Sequence, residues 1–286
     1  MTTQTVAIVT GASRGAGKGI AIALGSYGCT VYVTGRTQSS GQALLGGTIH
    51  ETAEAVTAAG GTGIAVAVDH ADDNQVRALF DQVQREQGQL DILVNNACAL
   101  HSEMTAPGNF WEKPLKIVDM LDVGLRSSYV ASWLAAPMMI AQGRGLILFN
   151  SASGAVHYVY GPAYGAHKAG VDKFAADMGV DFTGTGVAAI SVWMGALRTE
   201  RLLQLIATDQ KKFGYLEGQC ETPEFTGHVA WSLYNDPEIA TLNGQTVIGA
   251  EMAIKYGIVD EGGRQPKSYR DTHKVAPHSP YPNIIR

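Results

Sequence analysis

Short β-branched runs alternate along this chain with longer stretches of helical periodicity, and glycine, proline or polar turns separate the two kinds of segment. That alternation is typical of βαβ units on a parallel sheet. Strands are predicted over residues 6–10, 30–34, 64–69, 91–95, 145–150, 187–192 and 245–248. Helices are predicted over residues 17–27, 48–59, 74–87, 115–142, 163–182 and 222–234. We therefore expect a single doubly wound α/β domain over residues 1–264, built on a parallel sheet of about seven strands.

The C-terminal segment differs from the rest of the chain in composition. Residues 265–286 contain Pro266, Pro277, Pro280 and Pro282, so they cannot form a long helix or a central strand. We expect an extended tail that packs on a neighbouring subunit or on the rim of a pocket, with disorder as the alternative.

Composition and charge narrow the classes of function. Charged residues make up 16% of the chain and hydrophobic residues 45%, a balance that excludes a disordered protein. The formal net charge is −5 and no Lys/Arg-rich run occurs, so nucleic acid and anionic membrane are poor candidate partners. The three cysteines are widely spaced, without a CxxC pair, which argues against a disulfide framework or a metal site. With no recognisable signal peptide or membrane-spanning stretch, we expect a cytoplasmic protein.

A glycine-rich turn follows the first predicted strand. Residues 10–17 read TGASRGAG, with glycines at positions 11, 15 and 17, and a predicted helix follows directly. Glycines at these positions permit a tight turn and a close approach of the backbone to a pyrophosphate at the helix N-terminus. Alone such a turn is weak evidence, but between the first strand and the first helix it predicts a dinucleotide site.

The order and spacing of further motifs resemble the short-chain dehydrogenase/reductase family. The family's Thr-Gly-x-x-x-Gly-x-Gly motif matches residues 10–17, and its Asn-Asn-Ala-Gly motif matches residues 95–98, with Cys98 in place of the last glycine. The resemblance extends over about residues 5–249 and implies a Rossmann-type fold with a nicotinamide cofactor. It also implies the residues that hold this cofactor, from the glycine turn to the end of the sixth strand. They are Gly11, Ser13, Gly15, Gly17, Asp69, Asn96, Ala97, Lys168 and Thr199.

The end of the second predicted strand indicates which nicotinamide cofactor is preferred. An acidic side chain there would bind the ribose 2′-hydroxyl of NAD and repel a 2′-phosphate, but residues 34–37 read TGRT. Arg14 lies in the glycine turn and Arg36 follows the strand, and a guanidinium pairs well with phosphate. A solvated pair of surface arginines is the alternative interpretation. We predict a preference for NADP(H), with NADPH as the reductant.

Ser151, Tyr164 and Lys168 are the candidate catalytic residues. Residues 164–168 read YGAHK on a predicted helix, and residues i and i+4 share one helix face. Ser151 follows the fifth predicted strand, at the sheet edge where open α/β sheets bind ligands. The 13-residue gap between Ser151 and Tyr164 is similar to that of the family's Ser–Tyr–Lys constellation.

Other polar residues near this motif compete for the same roles. Tyr158 and Tyr160 lack a lysine four residues on, and Ser153 lies nearer to the tyrosine than the family spacing requires. His167 is expected to point away from Tyr164, without a catalytic role. Cys98 is expected to be a small buried side chain, because no histidine is spaced near it in the sequence.

The resemblance implies a role for each candidate. Tyr164 would be the general acid/base that protonates a carbonyl oxygen during reduction, although a free tyrosine has a pKa of about 10. The Lys168 ammonium and the positive charge of an oxidised nicotinamide would lower that pKa. Ser151 would hydrogen-bond the substrate oxygen. The implied function is an NADP(H)-dependent oxidoreductase that interconverts a carbonyl and a secondary alcohol on a small-molecule substrate.

One residue departs from the family pattern. Residues 122–125 read DVGL where the family usually has Asp-Val-Asn-Leu, so Gly124 replaces the fourth member of the usual catalytic tetrad; one branch of the family shows the same Val-Gly-Leu. The resemblance implies that this position marks a helix kink, whose main-chain carbonyl holds a water that leads to the lysine. Glycine keeps that carbonyl and tolerates the kink, so we expect an active enzyme in which the proton relay to Lys168 survives. The alternative is a catalytically impaired nucleotide-binding protein that acts as a redox sensor or scaffold.

Two helices and two connecting segments complete the sequence-based predictions. The helices over residues 115–142 and 163–182 carry apolar side chains such as Trp133 that are costly to expose, so we predict a homodimer or homotetramer through them. Residues 101–114 and 198–222 contain aromatic and aliphatic side chains. We expect these two segments to cover the pocket of an apolar or aromatic ketone.

Overall fold

Within residues 4–286, which the computed structural model describes, seven strands form one sheet. The strands are β1 (Val6–Val9), β2 (Thr30–Gly35), β3 (Thr62–Ala67), β4 (Ile92–Asn95), β5 (Gly145–Ser151), β6 (Val187–Trp193) and β7 (Thr246–Ile248). Their order across the sheet is β3-β2-β1-β4-β5-β6-β7, and every neighbouring pair is parallel. This topology confirms the predicted doubly wound α/β fold of the Rossmann type.

The helices cover both faces of the sheet. They are α1 (Gly15–Ser26), α2 (Ile49–Ala58), α3 (Asp73–Gln87), α4 (Ser127–Gln142), α5 (Pro162–Asp181), α6 (Glu200–Thr208), α7 (Gln210–Phe213), α8 (Phe225–Tyr234), α9 (Gly249–Tyr256) and α10 (Tyr269–Thr272). Side chains of α1, α2, α8 and α9 pack in one hydrophobic cluster, and those of α3, α4 and α5 pack in a second.

The first strand shows why the strand sequences are continuously apolar rather than alternating between apolar and polar residues. Val9 contributes to the first cluster and Ile8 to the second, because successive side chains of a strand point to opposite faces. Both faces are covered by helices, so neither strand face needs polar residues. The order of the strands reverses between β1 and β4, and the crevice at their carboxyl ends is where open α/β sheets bind ligands.

The predicted single helix over residues 115–142 is wrong. A short turn at Leu115–Val118 and a wide turn at Leu121–Arg126 precede α4, which begins only at Ser127. The backbone leaves the helical region at Val123 (φ −98°, ψ 88°) and Gly124 (φ 151°, ψ −69°). The apolar pattern continues through this kink, so hydrophobic periodicity alone does not reveal it.

The C-terminal part of the chain is also more structured than predicted. The sequence analysis missed α9, which is short and begins with a glycine. The tail returns to the body of the domain through Glu251 of α9, whose Oε1 accepts hydrogen bonds from Ser268 Oγ (2.5 Å) and Arg270 Nε (3.0 Å). The Tyr269 hydroxyl donates a 3.0 Å hydrogen bond to the carbonyl of Met194, just beyond β6. The first part of the tail therefore packs beside the end of β6.

No helix in the described part of the chain is both long and apolar enough to span a bilayer.

Candidate active site

The glycine turn between β1 and α1 is packed so closely that side chains are excluded at Gly11 and Gly17. Gly11 and Gly15 have φ values of +63° and +56°, in the region that favours glycine. A Cβ on Gly17 would lie 2.6 Å from the carbonyl oxygen of Gly11, and one on Gly11 would lie 2.7 Å from Cα of Ala97. The turn therefore rests against the segment that follows β4.

Asn96 ties this turn to the neighbouring strands. Its Nδ2 donates to the carbonyls of Thr10 (2.8 Å) and Gly11 (3.0 Å), and its Oδ1 accepts from Asn150 Nδ2 (3.0 Å). The Thr10 hydroxyl accepts from the backbone N–H groups of Asn96 and Ala97, each at 2.9 Å. Asn96 and Ala97, predicted to touch the cofactor, thus also hold the glycine turn in place.

The start of α1 has the properties of an anion site. Its N-cap residue, Arg14, makes no side-chain capping hydrogen bond, and no acidic residue lies in the first turn. The N–H groups of a first helical turn lack intrahelical partners and favour negative charge. The backbone N–H groups at the start of α1 therefore fit the pyrophosphate of a dinucleotide.

The two predicted phosphate-binding arginines have different surroundings. Arg14 donates to the carbonyls of Gly46 and Gly47, each at 2.9 Å, and so organises the loop after β2. Arg36 has a side chain that is 69% exposed, and its Nη1 lies 3.8 Å from Oδ2 of Asp69. Arg36 and Asp69 therefore lie at one rim of the crevice. Of the two arginines, Arg36 has the more accessible guanidinium.

Tyr164 and Lys168 are brought together as predicted from their spacing on α5. Lys168 Nζ lies 5.6 Å from the centroid of the Tyr164 ring and donates a 2.9 Å hydrogen bond to the carbonyl of Asn150. Burial lowers the pKa of Lys168 and raises that of Tyr164. A Cβ on Gly154 would lie 2.5 Å from Cε1 of Tyr164, so the ring packs on the backbone after β5.

Ser151 is completely buried behind this pair. Its hydroxyl donates a 3.3 Å hydrogen bond to the carbonyl of Lys168. Asp172, one turn further along α5, accepts hydrogen bonds from Ser191 Oγ at 2.6 Å and Trp193 Nε1 at 2.8 Å. Burial raises the pKa of this carboxyl, and these two hydrogen bonds oppose the shift. The sequence analysis missed this carboxylate, although its position four residues after Lys168 on one helix face was a usable signal.

Aromatic side chains lie beside Tyr164 and at the nearby end of β6. The ring of Tyr160 lies 5.3 Å from that of Tyr164, and Tyr160 adopts a φ of +59°, which is rare for a tyrosine. Tyr269, from the tail, packs 6.1 Å from the Trp193 ring. Ser153 is the candidate serine that the family spacing favours less, and its Oγ lies 2.9 Å from Nε2 of His157.

Cys98, expected to be a small buried side chain, is partly buried and has a histidine beside it that its sequence neighbours do not supply. Cys98 Sγ lies 3.7 Å from Nδ1 of His167, although 69 residues separate the two. Burial lowers the pKa of His167 to about 2 and raises the pKa of the Cys98 thiol, so the pair is a neutral imidazole and a thiol. Linear spacing did not reveal the contact because it joins the end of β4 to α5.

The kink before α4 is held by a chain of buried polar groups. Ser128 Oγ donates to the carbonyl of Gly124, Ser132 Oγ donates to the carbonyl of Ser128 (2.7 Å), and Asn95 Nδ2 donates to Ser132 Oγ (3.0 Å). The Gly124 N–H donates to Ser127 Oγ at 3.1 Å. The carbonyl that the sequence analysis assigned to a proton relay is thus already paired with one hydroxyl.

Thr199, for which the sequence predicts a cofactor contact, lies beside the glycine turn. Its hydroxyl caps α6 by accepting a 3.3 Å hydrogen bond from the N–H of Leu202, and its methyl group lies beside Gly15. The structure therefore brings the start of α6 to the glycine turn.

Across residues 4–286, no group of three or more His, Cys, Asp or Glu side chains is arranged to hold a metal ion.

Comparisons with known proteins place the chain in a family. A family model for short chain dehydrogenases matches residues 5–210. The chain is 37% identical over 284 residues to dehydrogenase/reductase SDR family member 1 of Homo sapiens, covering 96% of this chain and 88% of that protein. The Mus musculus protein of the same name is 37% identical over 275 residues, covering 92% and 85%. A crystal structure of a protein from Xanthomonas campestris matches with a TM-score of 0.77 at 28% identity, covering 93% of this chain and 94% of its own. The chain therefore belongs to the short-chain dehydrogenase/reductase family, in the branch of dehydrogenase/reductase SDR family member 1.

Proposed function

We propose that this oxidoreductase interconverts a carbonyl and a secondary alcohol with NADP(H) as cofactor. The observation that carries the proposal is the pairing of Tyr164 with Lys168 at the carboxyl ends of the strands, where Lys168 Nζ is held by the carbonyl of Asn150. The glycine turn of the same crevice is linked to this pair through Asn96 and Asn150. The proposed proton donor and the proposed dinucleotide site are thus joined through one chain of hydrogen bonds.

Tyr164 is proposed as the general acid/base. Burial raises its pKa in the ligand-free chain, so its phenolate needs nearby positive charge, which Lys168 supplies. The dinucleotide supplies the hydride when bound. Ser151 would orient the substrate oxygen towards Tyr164, after its hydroxyl turns away from the carbonyl of Lys168.

The preference for NADP(H) is proposed to rest on Arg36. Arg14 already donates to two loop carbonyls, whereas the Arg36 guanidinium is largely exposed and can pair with a 2′-phosphate. Asp69 lies near enough to Arg36 to keep it at the rim of the crevice.

The aromatic surroundings favour an apolar or aromatic carbonyl substrate. The ring of Tyr160 packs against that of Tyr164, and the ring of Tyr269 packs against that of the buried Trp193 at the end of β6. The tail, residues 265–286, is proposed as part of this wall rather than as a disordered extension. We propose cytoplasmic action, in keeping with the three free cysteines.

We also propose assembly into a homodimer or homotetramer through α4 and α5. Tyr129, Trp133 and Ile140 of α4 are 50%, 58% and 45% exposed, a stripe that a partner would cover. A monomeric mass by light scattering at micromolar concentration would contradict this assembly.

The activity is tested by following NADPH oxidation with a panel of ketones and quinones. Wild-type protein should turn over at least one of them, and Tyr164→Phe should lose at least about a hundredfold in kcat, in line with general acid/base catalysis. Tyr158→Phe is the matched control, because Tyr158 is 77% exposed and outside the Tyr164–Lys168 pair.

The alternative function, a catalytically impaired redox sensor or scaffold, predicts a different outcome. Wild type would then bind the dinucleotide but oxidise NADPH no faster than Tyr164→Phe with every ketone and quinone tested.

A further inference from the structure

The first turn of α6 lies directly against the glycine turn that begins α1. The N–H of Gly15 donates a 3.0 Å hydrogen bond to Oε2 of Glu200, a residue 185 positions away. A Cβ on Gly15 would lie 3.5 Å from the methyl carbon of Thr199. Glu200 and Thr199 therefore cover the anion site described above.

The helix α1 supplies no negative charge of its own to this site. Its N-cap side chain makes no capping hydrogen bond and its first turn contains no acid. Free N–H groups in a first helical turn attract anions. The carboxylate of Glu200 thus provides, from a distant part of the chain, the negative charge that this turn favours, and it also acts on Arg14, whose pKa it raises against the larger effect of burial.

The helix α6 is only lightly anchored to the rest of the domain. Ile206 is the one buried side chain among its nine residues, and Leu203 is 48% exposed. Beyond the Glu200 contact, Arg201 Nη2 donates a 3.0 Å hydrogen bond to the carbonyl of Leu100. An element with so little buried surface can move at a small cost in free energy.

We propose that Glu200 is a built-in competitor of the cofactor, which holds α6 against the glycine turn until the pyrophosphate of a dinucleotide displaces it. The inference rests on the proposed function, because it takes this turn as the pyrophosphate site. The carboxylate of Glu200 already occupies the N–H of Gly15, and it would repel a second anionic group at the same helical turn. Glu200 therefore sets the affinity for the dinucleotide and couples its binding to the position of α6.

The substitution Glu200→Gln tests this competition. Glutamine keeps the size and an acceptor oxygen but removes the charge. Glu217→Gln is the matched control, since Glu217 is an exposed residue of the same segment whose carboxylate bonds only Gln210 (3.2 Å) among the described residues. We expect Glu200→Gln to bind NADP⁺ at least about fivefold more tightly in calorimetric titrations, and Glu217→Gln to bind as wild type does.

Hydrogen exchange of the ligand-free proteins provides a readout that needs no cofactor. Amides of residues 200–208 should exchange faster in Glu200→Gln than in wild type or in Glu217→Gln. Equal or weaker NADP⁺ affinity in Glu200→Gln, or unchanged exchange, would overturn the proposal. Absence of dinucleotide binding in the wild-type protein would instead contradict the proposed function, and the exchange measurement would still decide whether Glu200 holds α6.

Discussion

The imidazole of His167 occupies the space that a side chain at Gly124 would need. A Cβ on Gly124 would lie 3.1 Å from Nε2 of His167 and 3.3 Å from Cδ2 and Cε1. Gly124 also has a φ of +151°, which strains other residues. The glycine at the kink and the buried ring on α5 are therefore complementary, and the positive φ and the nearby His167 ring both disfavour a side chain at the position that departs from the family pattern.

Restoring asparagine at the kink should destabilise the fold without a large gain in catalysis. Gly124→Asn should lower the free energy of unfolding by about 1–3 kcal/mol because of backbone strain and the approach to His167. Its kcat should stay within about tenfold of wild type, or ~1.4 kcal/mol of barrier. Urea unfolding and NADPH oxidation measure the two effects.

The double variant Gly124→Asn/His167→Ser separates strain from crowding. Removing the ring should recover part of the lost stability, while the positive φ remains. His167→Ser alone is the control for the cavity it leaves. A gain in kcat of a hundredfold or more in Gly124→Asn, or in the double variant, would show that the natural protein is a catalytically impaired reductase.

Cofactor preference should depend on Arg36. Arg36→Asp replaces an exposed guanidinium beside Asp69 with a carboxylate, which repels a 2′-phosphate and can accept from a ribose hydroxyl. The ratio of kcat/KM for NADPH to that for NADH should fall by at least about tenfold, since a charge-assisted phosphate contact contributes more than 1.4 kcal/mol. Arg85→Asp, on the exposed side of α3, should leave the ratio unchanged. An unaltered ratio in Arg36→Asp would refute the assignment.

Glu221 should make stability depend on pH. Burial raises the pKa of Glu221 to about 7, and Asp260 adds to that shift, while a hydrogen bond from the Gly195 N–H and the charge of Arg264 oppose it. The acceptor is Oε2, at 2.9 Å from the Gly195 nitrogen. The folded state therefore binds more protons than the unfolded state between about pH 4.5 and 7, and stability falls as pH rises through this window.

Glu221→Gln should remove this dependence, because glutamine remains neutral and keeps an acceptor for Gly195. At pH 8 the variant should be more stable than wild type by at most about 3 kcal/mol, and at pH 4.5 the two should be similar. Urea unfolding at both pH values measures the difference, with Glu217→Gln as the control. Parallel pH profiles for wild type and Glu221→Gln would contradict the prediction.

Removing the tail should change substrate binding as well as stability. Truncation after Gly263 deletes Tyr269, together with its hydrogen bond to Met194 and its contact with Trp193. The KM for any active carbonyl substrate should rise, and the melting temperature should fall. Tyr269→Phe keeps the ring and loses only the hydroxyl, so it should retain most of the affinity. An unchanged KM and an unchanged oligomer mass after truncation would favour a tail without a role at the site.

Several features of the fold and the site follow from local sequence. Each strand was predicted within a few residues because β-branched runs between turn residues are local signals. The glycine turn and the i, i+4 relation of Tyr164 and Lys168 are also local, since covalent spacing sets both. The kink at Gly124 was expected only from the resemblance to the family, because the residues around it keep the apolar pattern of a helix.

What the sequence by itself determined is the doubly wound fold, the family and the positions of the candidate catalytic groups along the chain. Only the tertiary structure decided which distant residues surround those groups: His167 beside Cys98, Glu200 on the N–H of Gly15, and Tyr269 near the end of β6. Each of these contacts joins residues tens of positions apart or more. Their formation depends on how helices pack on the two faces of the sheet, and periodicity along the chain carries no information about which side chains then meet.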